Sequence, residues 1–151
     1  MSELSPQPVS ELAPVRQRLA LAEPSCLALI EATSAAPLPD GLTDEMGRRL
    51  RLTLRPYDEL IVIGDGRFAL LLPTLAGPEA LRRRMSDVFE AVTDGIDQGA
   101  EAPDPEPRAP VTVALGASVR QPQDSADGFL TRVADAVDEA RDAGGRTPVI
   151  A

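Results

Sequence analysis

An α+β fold is predicted by three features of the sequence. Four apolar runs have the length of strands: "CLALIEA" (26–32), "ELIVI" (59–63), "FALLLP" (68–73) and "VTVALGASV" (111–119). Between them, apolar residues recur at three- to four-residue spacing, which is one face of a helix. The middle two runs are joined by "GDGR" (64–67), and Asp-Gly between apolar runs is a strong short-range hairpin signal.

Residues 1–14, "MSELSPQPVSELAP", are rich in Pro and Ser without a sustained period. They read as a disordered tail, which leaves 15–151 as one domain. A short helical piece near "VRQRLALA" precedes the first strand. "TSAAPLPDG" (33–41) is too broken by Pro for a helix. Leu42, Met46, Leu50 and Leu54 then form one helical stripe, with Asp40 or Thr43 able to cap its start. Asp44 and Glu45 fall in its first turn and Arg51 and Arg55 near its end, the charge order a helix dipole favours.

After the hairpin, Pro78 and Glu79 open a helix with Leu81, Met85, Val88, Phe89, Val92 and Ile96 as its apolar face. "DQGAEAPDPEPRAP" (97–110) is an acidic, Pro-rich loop. The last helix turns Phe129, Leu130, Val133, Val137 and Ala140 inward and stops at Gly144-Gly145, before a short strand "PVI" (148–150). The order is β-α-β-β-α-β-α-β. Its first six elements are the ferredoxin-like, palm-type core, extended by a C-terminal helix and strand.

Composition excludes several functions. The net charge of −9 argues against general nucleic-acid binding, which needs a basic footprint. With no His and one Cys, a zinc site has too few ligands. The N-terminus lacks a basic region and an apolar run, and no run is long enough to span a bilayer, so a cytoplasmic setting is expected.

"LRPYDELIVIGDGRFALLLP" (54–73) resembles the core of a GGDEF domain, the family of bacterial diguanylate cyclases. In that family Arg-x-x-Asp precedes a five-residue strand, a Gly-Gly-Asp/Glu-Glu-Phe hairpin tip and an apolar strand ending in Pro. "VTVALGAS" (111–118) and "RVADAVDEARDAGGRTPV" (132–149) resemble its later strand and final helix. The resemblance spans roughly residues 24–151. It implies two-metal phosphoryl transfer from GTP in members that make cyclic di-GMP, with carboxylates from the first strand and the tip holding Mg²⁺.

Here the signature is degenerate: Gly64, Asp65, Gly66, Arg67 and Phe68 stand in its place. Glu31 falls at the first-strand acid, but Gly66 and Arg67 replace the two tip acids. A cation at the second position opposes Mg²⁺. Asp65 is acidic one place early, where a strand step reverses the side-chain direction. The guanine-reading segment between Thr33 and Asp40 is reduced to "SAAPLP", and the phosphate-holding Lys is replaced by Arg141. A domain without catalysis, metal or cofactor is expected.

What survives is Arg55-x-x-Asp58. In the family this motif, where present, is a product-binding inhibitory site. A guanidinium forks onto guanine O6/N7 or phosphate, and a carboxylate accepts from the guanine N–H edge. The plainer reading is a helix-end Arg pairing locally with a turn Asp. Both positions are expected at an element end, outside the core.

The resemblance adds Arg82 and Arg83, within the run Arg82–Arg84, as cations that clamp cyclic di-GMP from a second copy, giving a homodimer on ligand binding. The expected function is therefore a cyclic di-GMP receptor signalling through an unidentified protein partner. The alternative is an interaction module of the same fold that binds no nucleotide.

Overall fold

In the computed structural model the described residues are 12–22, 24–73, 75, 77–94 and 110–151. Alternation along the central strands sorts their side chains into two apolar layers. From β1 (Cys26–Thr33), residues Cys26, Ala28, Ile30 and Ala32 enter one cluster. That cluster is covered by α2 (Leu42–Thr53) and α3 (Pro78–Thr93), through Met46, Leu50, Leu81, Met85, Val88 and Val92. Leu27 and Leu29 enter the other, beneath α1 (Ala13–Ala22) and α4 (Ala126–Asp142). Strands buried on both faces read as continuous apolar runs, which is why "CLALI" and "FALLL" show no polar alternation.

The sheet runs β2-β3-β1-β4-β5, where β2 is Glu59–Gly64, β3 Arg67–Leu72, β4 Thr112–Val119 and β5 Val149–Ile150. Pairing is antiparallel except for β4 with β5. This is the expected α+β architecture, a split βαβ core plus the C-terminal helix and strand. Register places Glu31 of β1 directly across from Arg67 of β3.

Three local expectations change. Ala13 and Pro14, assigned to the tail, are the first residues of α1, and Leu12 before them is buried; residues 1–11 lie outside the described ones. The cap of α2 is Gly41, and no side chain bonds there; Thr43 is committed elsewhere. Phe89 is only partly buried, while Ile96 and residues 97–109 lie outside the described residues.

α4 lies unusually close to β4 at Gly116. A Cβ there would fall 2.4 Å from Val137 N and 2.7 Å from the Ala136 carbonyl carbon. Backbone cannot yield as a side-chain tip can. Gly116→Ala is therefore expected to destabilise the fold by about 2 kcal/mol, seen as a melting midpoint lowered by roughly 4–8 °C. An unchanged midpoint would show that the helix shifts outward freely.

Candidate functional site

Two clusters of charge lie where the sequence directs attention, and they differ in what they leave available. The first is at the hairpin tip. β2 and β3 are joined through Asp65 and Gly66, with Gly66 at φ 67°, the left-handed conformation in which glycine has no steric cost. A bulge between Val62 and Gly64 re-aims the strand just before the turn. The Gly66 N–H donates to Thr43 Oγ1 at 2.9 Å, and its carbonyl accepts from Ala32 N–H at 2.7 Å. A Cβ on Gly66 would lie 2.7 Å from Leu38 Cδ1. The tip is thus tied onto the first turn of α2 and the end of β1, and its glycine amide is already engaged.

Behind the tip, Glu31 sits between two guanidiniums. Arg67 Nε is 3.3 Å from Glu31 Oε2, and Arg141 Nη1 of α4 donates to Glu31 Oε1. Arg141 also reaches Asp138. Burial lowers the Arg67 pKa from its ordinary value, and the neighbouring Arg141 charge lowers it further. The cluster itself lines a pocket of about 230 Å³, where Glu31, Arg67, Asp138 and Arg141 face apolar residues such as Leu29, Ile63 and Val137. Among the described residues no three His, Cys, Asp or Glu side chains gather around a common point that would suit a metal ion. The residues at the tip do not fit Mg²⁺: Glu31 is held by two arginines, Arg141 also engages Asp138, and position 66 carries no carboxylate and has a left-handed backbone.

The second cluster is the turn from α2 into β2. The Arg55 N–H donates to Asp58 Oδ2 at 2.9 Å and the Asp58 N–H donates to Arg55 O at 3.0 Å, so the motif closes on itself. Arg84 of α3 then donates from Nη2 to Asp58 Oδ2 at 2.6 Å and to Thr53 O at 2.8 Å. Arg55 Nε lies 3.7 Å from the same carboxylate oxygen. The Asp58 side chain is wholly buried, whereas that of Arg55 is 45% exposed. Asp58 Oδ1 and Arg84 Nη1 are buried without a partner.

Asp58 is therefore not peripheral to the fold, contrary to the expectation that both motif residues sit outside the core. It is the buried counter-charge that joins α3 to the α2–β2 turn. Arg82 and Arg83 are exposed and stand apart from this group. At about 100° per residue, Arg82 projects from the flank of the helix opposite Arg84. Arg84 could have been singled out from spacing alone. It lies three residues after Leu81 and four before Val88, on the border of the buried stripe.

No protein-family model matches the sequence, and no curated protein is significantly similar to it. Solved structures do resemble its fold. The GGDEF domain of DgcB from Caulobacter crescentus, in complex with c-di-GMP, superposes with a TM-score of 0.64 at 14% identity, covering 93% of this chain and 86% of that one. The GGDEF domain of YfiN (TpbB) from Pseudomonas aeruginosa gives 0.60 at 19% identity, covering 94% and 91%. The diguanylate cyclase SiaD from the same species, in complex with its activator SiaC, gives 0.59 at 19% identity, covering 95% of this chain and 56% of SiaD. The chain has the fold of a GGDEF domain.

Removing one partner of a buried ion pair strands the other. Asp58→Ala is expected to destabilise the protein by about 3 kcal/mol. Asp58→Ala combined with Arg84→Ala should cost less than the sum of the two single changes. Urea unfolding of the four proteins measures the coupling, and strictly additive losses would contradict it.

Proposed function

We propose that this chain is a non-catalytic GGDEF-type domain that binds cyclic di-GMP at the Arg55–Asp58 turn and passes the signal on through a protein partner. The observation that carries this reading is the half-exposed Arg55 guanidinium, displayed by a turn that Asp58 and Arg84 hold in place. Arg51 on α2 and Arg82 and Arg83 on α3 are also exposed. Exposed cations on a chain of net charge −9 suit an anionic ligand. The complex of DgcB with c-di-GMP supplies the ligand class. In this reading the exposed Arg82 and Arg83 meet a ligand held on a second copy, so binding is expected to raise the mass. Among the described residues no helix is long and apolar enough to cross a membrane, and the proposed setting is the cytoplasm.

Absence of catalysis is part of the proposal. It rests on the Glu31 carboxylate being shared by Arg67 and Arg141, and on the engaged Gly66 amide. GTP with Mg²⁺ or Mn²⁺ is expected to yield no cyclic di-GMP above a protein-free control. Gly66→Asp with Arg67→Glu should not restore synthesis, because the segment between Thr33 and Asp40 remains reduced to "SAAPLP" and residue 66 would have to hold a left-handed backbone. Accumulating product that Glu31→Ala abolishes would overturn this part.

The binding part is tested at Arg55, since Asp58 also carries stability. Arg55→Ala should lower affinity by about 2 kcal/mol, roughly thirtyfold, in a calorimetric titration. Arg55→Lys should not restore it, because an ammonium cannot fork onto a guanine or phosphate edge. One observation favours the second reading, an interaction module that binds no nucleotide: the Asp58 carboxylate is fully enclosed. SiaD, of the same fold, forms a complex with a protein activator. Wild type that fails to bind at high micromolar cyclic di-GMP would select that reading.

A further inference from the structure

Tyr57 is the one tyrosine of a chain that has no tryptophan, and its side chain is 77% exposed. It sits inside the Arg55–Asp58 turn, between the half-exposed Arg55 and the buried Asp58. The turn is closed by hydrogen bonds in both directions, so the backbone that carries Tyr57 is fixed before any ligand arrives. Leu52, on the last turn of α2, is 74% exposed a few residues away. An aromatic ring left in water on a rigid turn, two residues from a half-exposed arginine, suits recognition of a flat π-system with a hydrogen-bonding edge.

We infer that Tyr57 is the stacking platform for a purine base of the ligand, with Arg55 reading the edge of that same base. The inference rests on the receptor reading above and adds the residue that selects a base rather than any phosphate. The two residues are within about 7 Å along the chain. In the inferred arrangement a guanine on the Tyr57 ring presents its O6/N7 edge to the Arg55 fork. Stacking needs no hydroxyl, so the ring and not the phenol oxygen carries the contact. A phosphate-only ligand would gain nothing from Tyr57.

The chain supplies its own reporter. With no tryptophan and one tyrosine, intrinsic fluorescence comes from Tyr57 alone. Cyclic di-GMP is titrated in parallel by calorimetry and by tyrosine emission, with free N-acetyltyrosinamide correcting for absorption by the nucleotide. Emission is expected to be quenched along the calorimetric isotherm. Tyr57→Phe should bind within about threefold of wild type, and Tyr57→Ala should bind roughly tenfold or more weakly. Because the side chain is exposed, both variants should melt as wild type does, which a thermal scan verifies. Calorimetric binding with unquenched emission and an unaffected Tyr57→Ala protein would overturn the stacking role and leave the Arg55 site standing. No calorimetric heat at all would remove the receptor reading and this inference with it.

Discussion

The position of β1 in the middle of the sheet governs the rest of the molecule. It pairs with β3 on one side and β4 on the other, and its side chains feed both apolar layers. A slip of one residue would send Cys26, Ala28 and Ile30 to the opposite layer and expel Leu27 and Leu29 from theirs. Register is therefore fixed by burial, and with it the pairing of Glu31 with Arg67 at the open end of the sheet. The charge cluster at the tip is a consequence of packing several residues away.

That cluster and the Arg55 turn show two fates for arginine in an acidic chain. Arg67 and Arg141 share the Glu31 carboxylate and Arg141 also pairs with Asp138, so both guanidiniums are engaged within the fold. Arg141 comes from α4, whose close approach to β4 depends on Gly116, so the cluster also ties the last helix to β1 and β3. An anionic ligand entering there would have to displace Glu31 as well as lose its own hydration. Arg55 has only a long contact with a carboxylate already engaged by Arg84, and its fork remains partly in water. That difference in engagement is the electrostatic reason for proposing the α2–β2 turn rather than the tip as the binding site.

Periodicity made the strands, the helices and most of the core legible in the sequence. The stripes Met46–Leu50, Leu81–Met85–Val88–Val92 and Phe129–Val133–Val137 are buried as their spacing requires. The Asp-Gly turn and the Gly144-Gly145 stop also follow from local chemistry, both glycines of the stop having positive φ. What could not be read were contacts between elements distant in sequence. Thr43 looked like a helix cap, but the hairpin tip arrives 23 residues later and takes its oxygen. Asp58 looked like a solvent-facing turn residue, because its partner lies on α3, 26 residues further on. Spacing assigns a residue to a face. It does not say which side chain from another element will meet it there.

The Asp58–Arg84 pair is difficult to account for by stability alone. Its desolvation cost is large, two of its polar atoms lack partners, and apolar residues of similar size would serve a core at least as well. What the pair supplies instead is geometry. One carboxylate oxygen receives the Arg55 amide and the Arg84 guanidinium, and that guanidinium also takes the Thr53 carbonyl near the end of α2. Helix end, turn and α3 are thereby fixed relative to one another by two side chains. The residues displayed by that arrangement are Arg55 and Tyr57, both projecting into solvent from a turn that has little freedom left to lose. Binding affinity depends on how much order remains to be imposed when the ligand arrives. A costly buried pair under an exposed aromatic and an exposed arginine is how the proposed recognition surface would be preorganised.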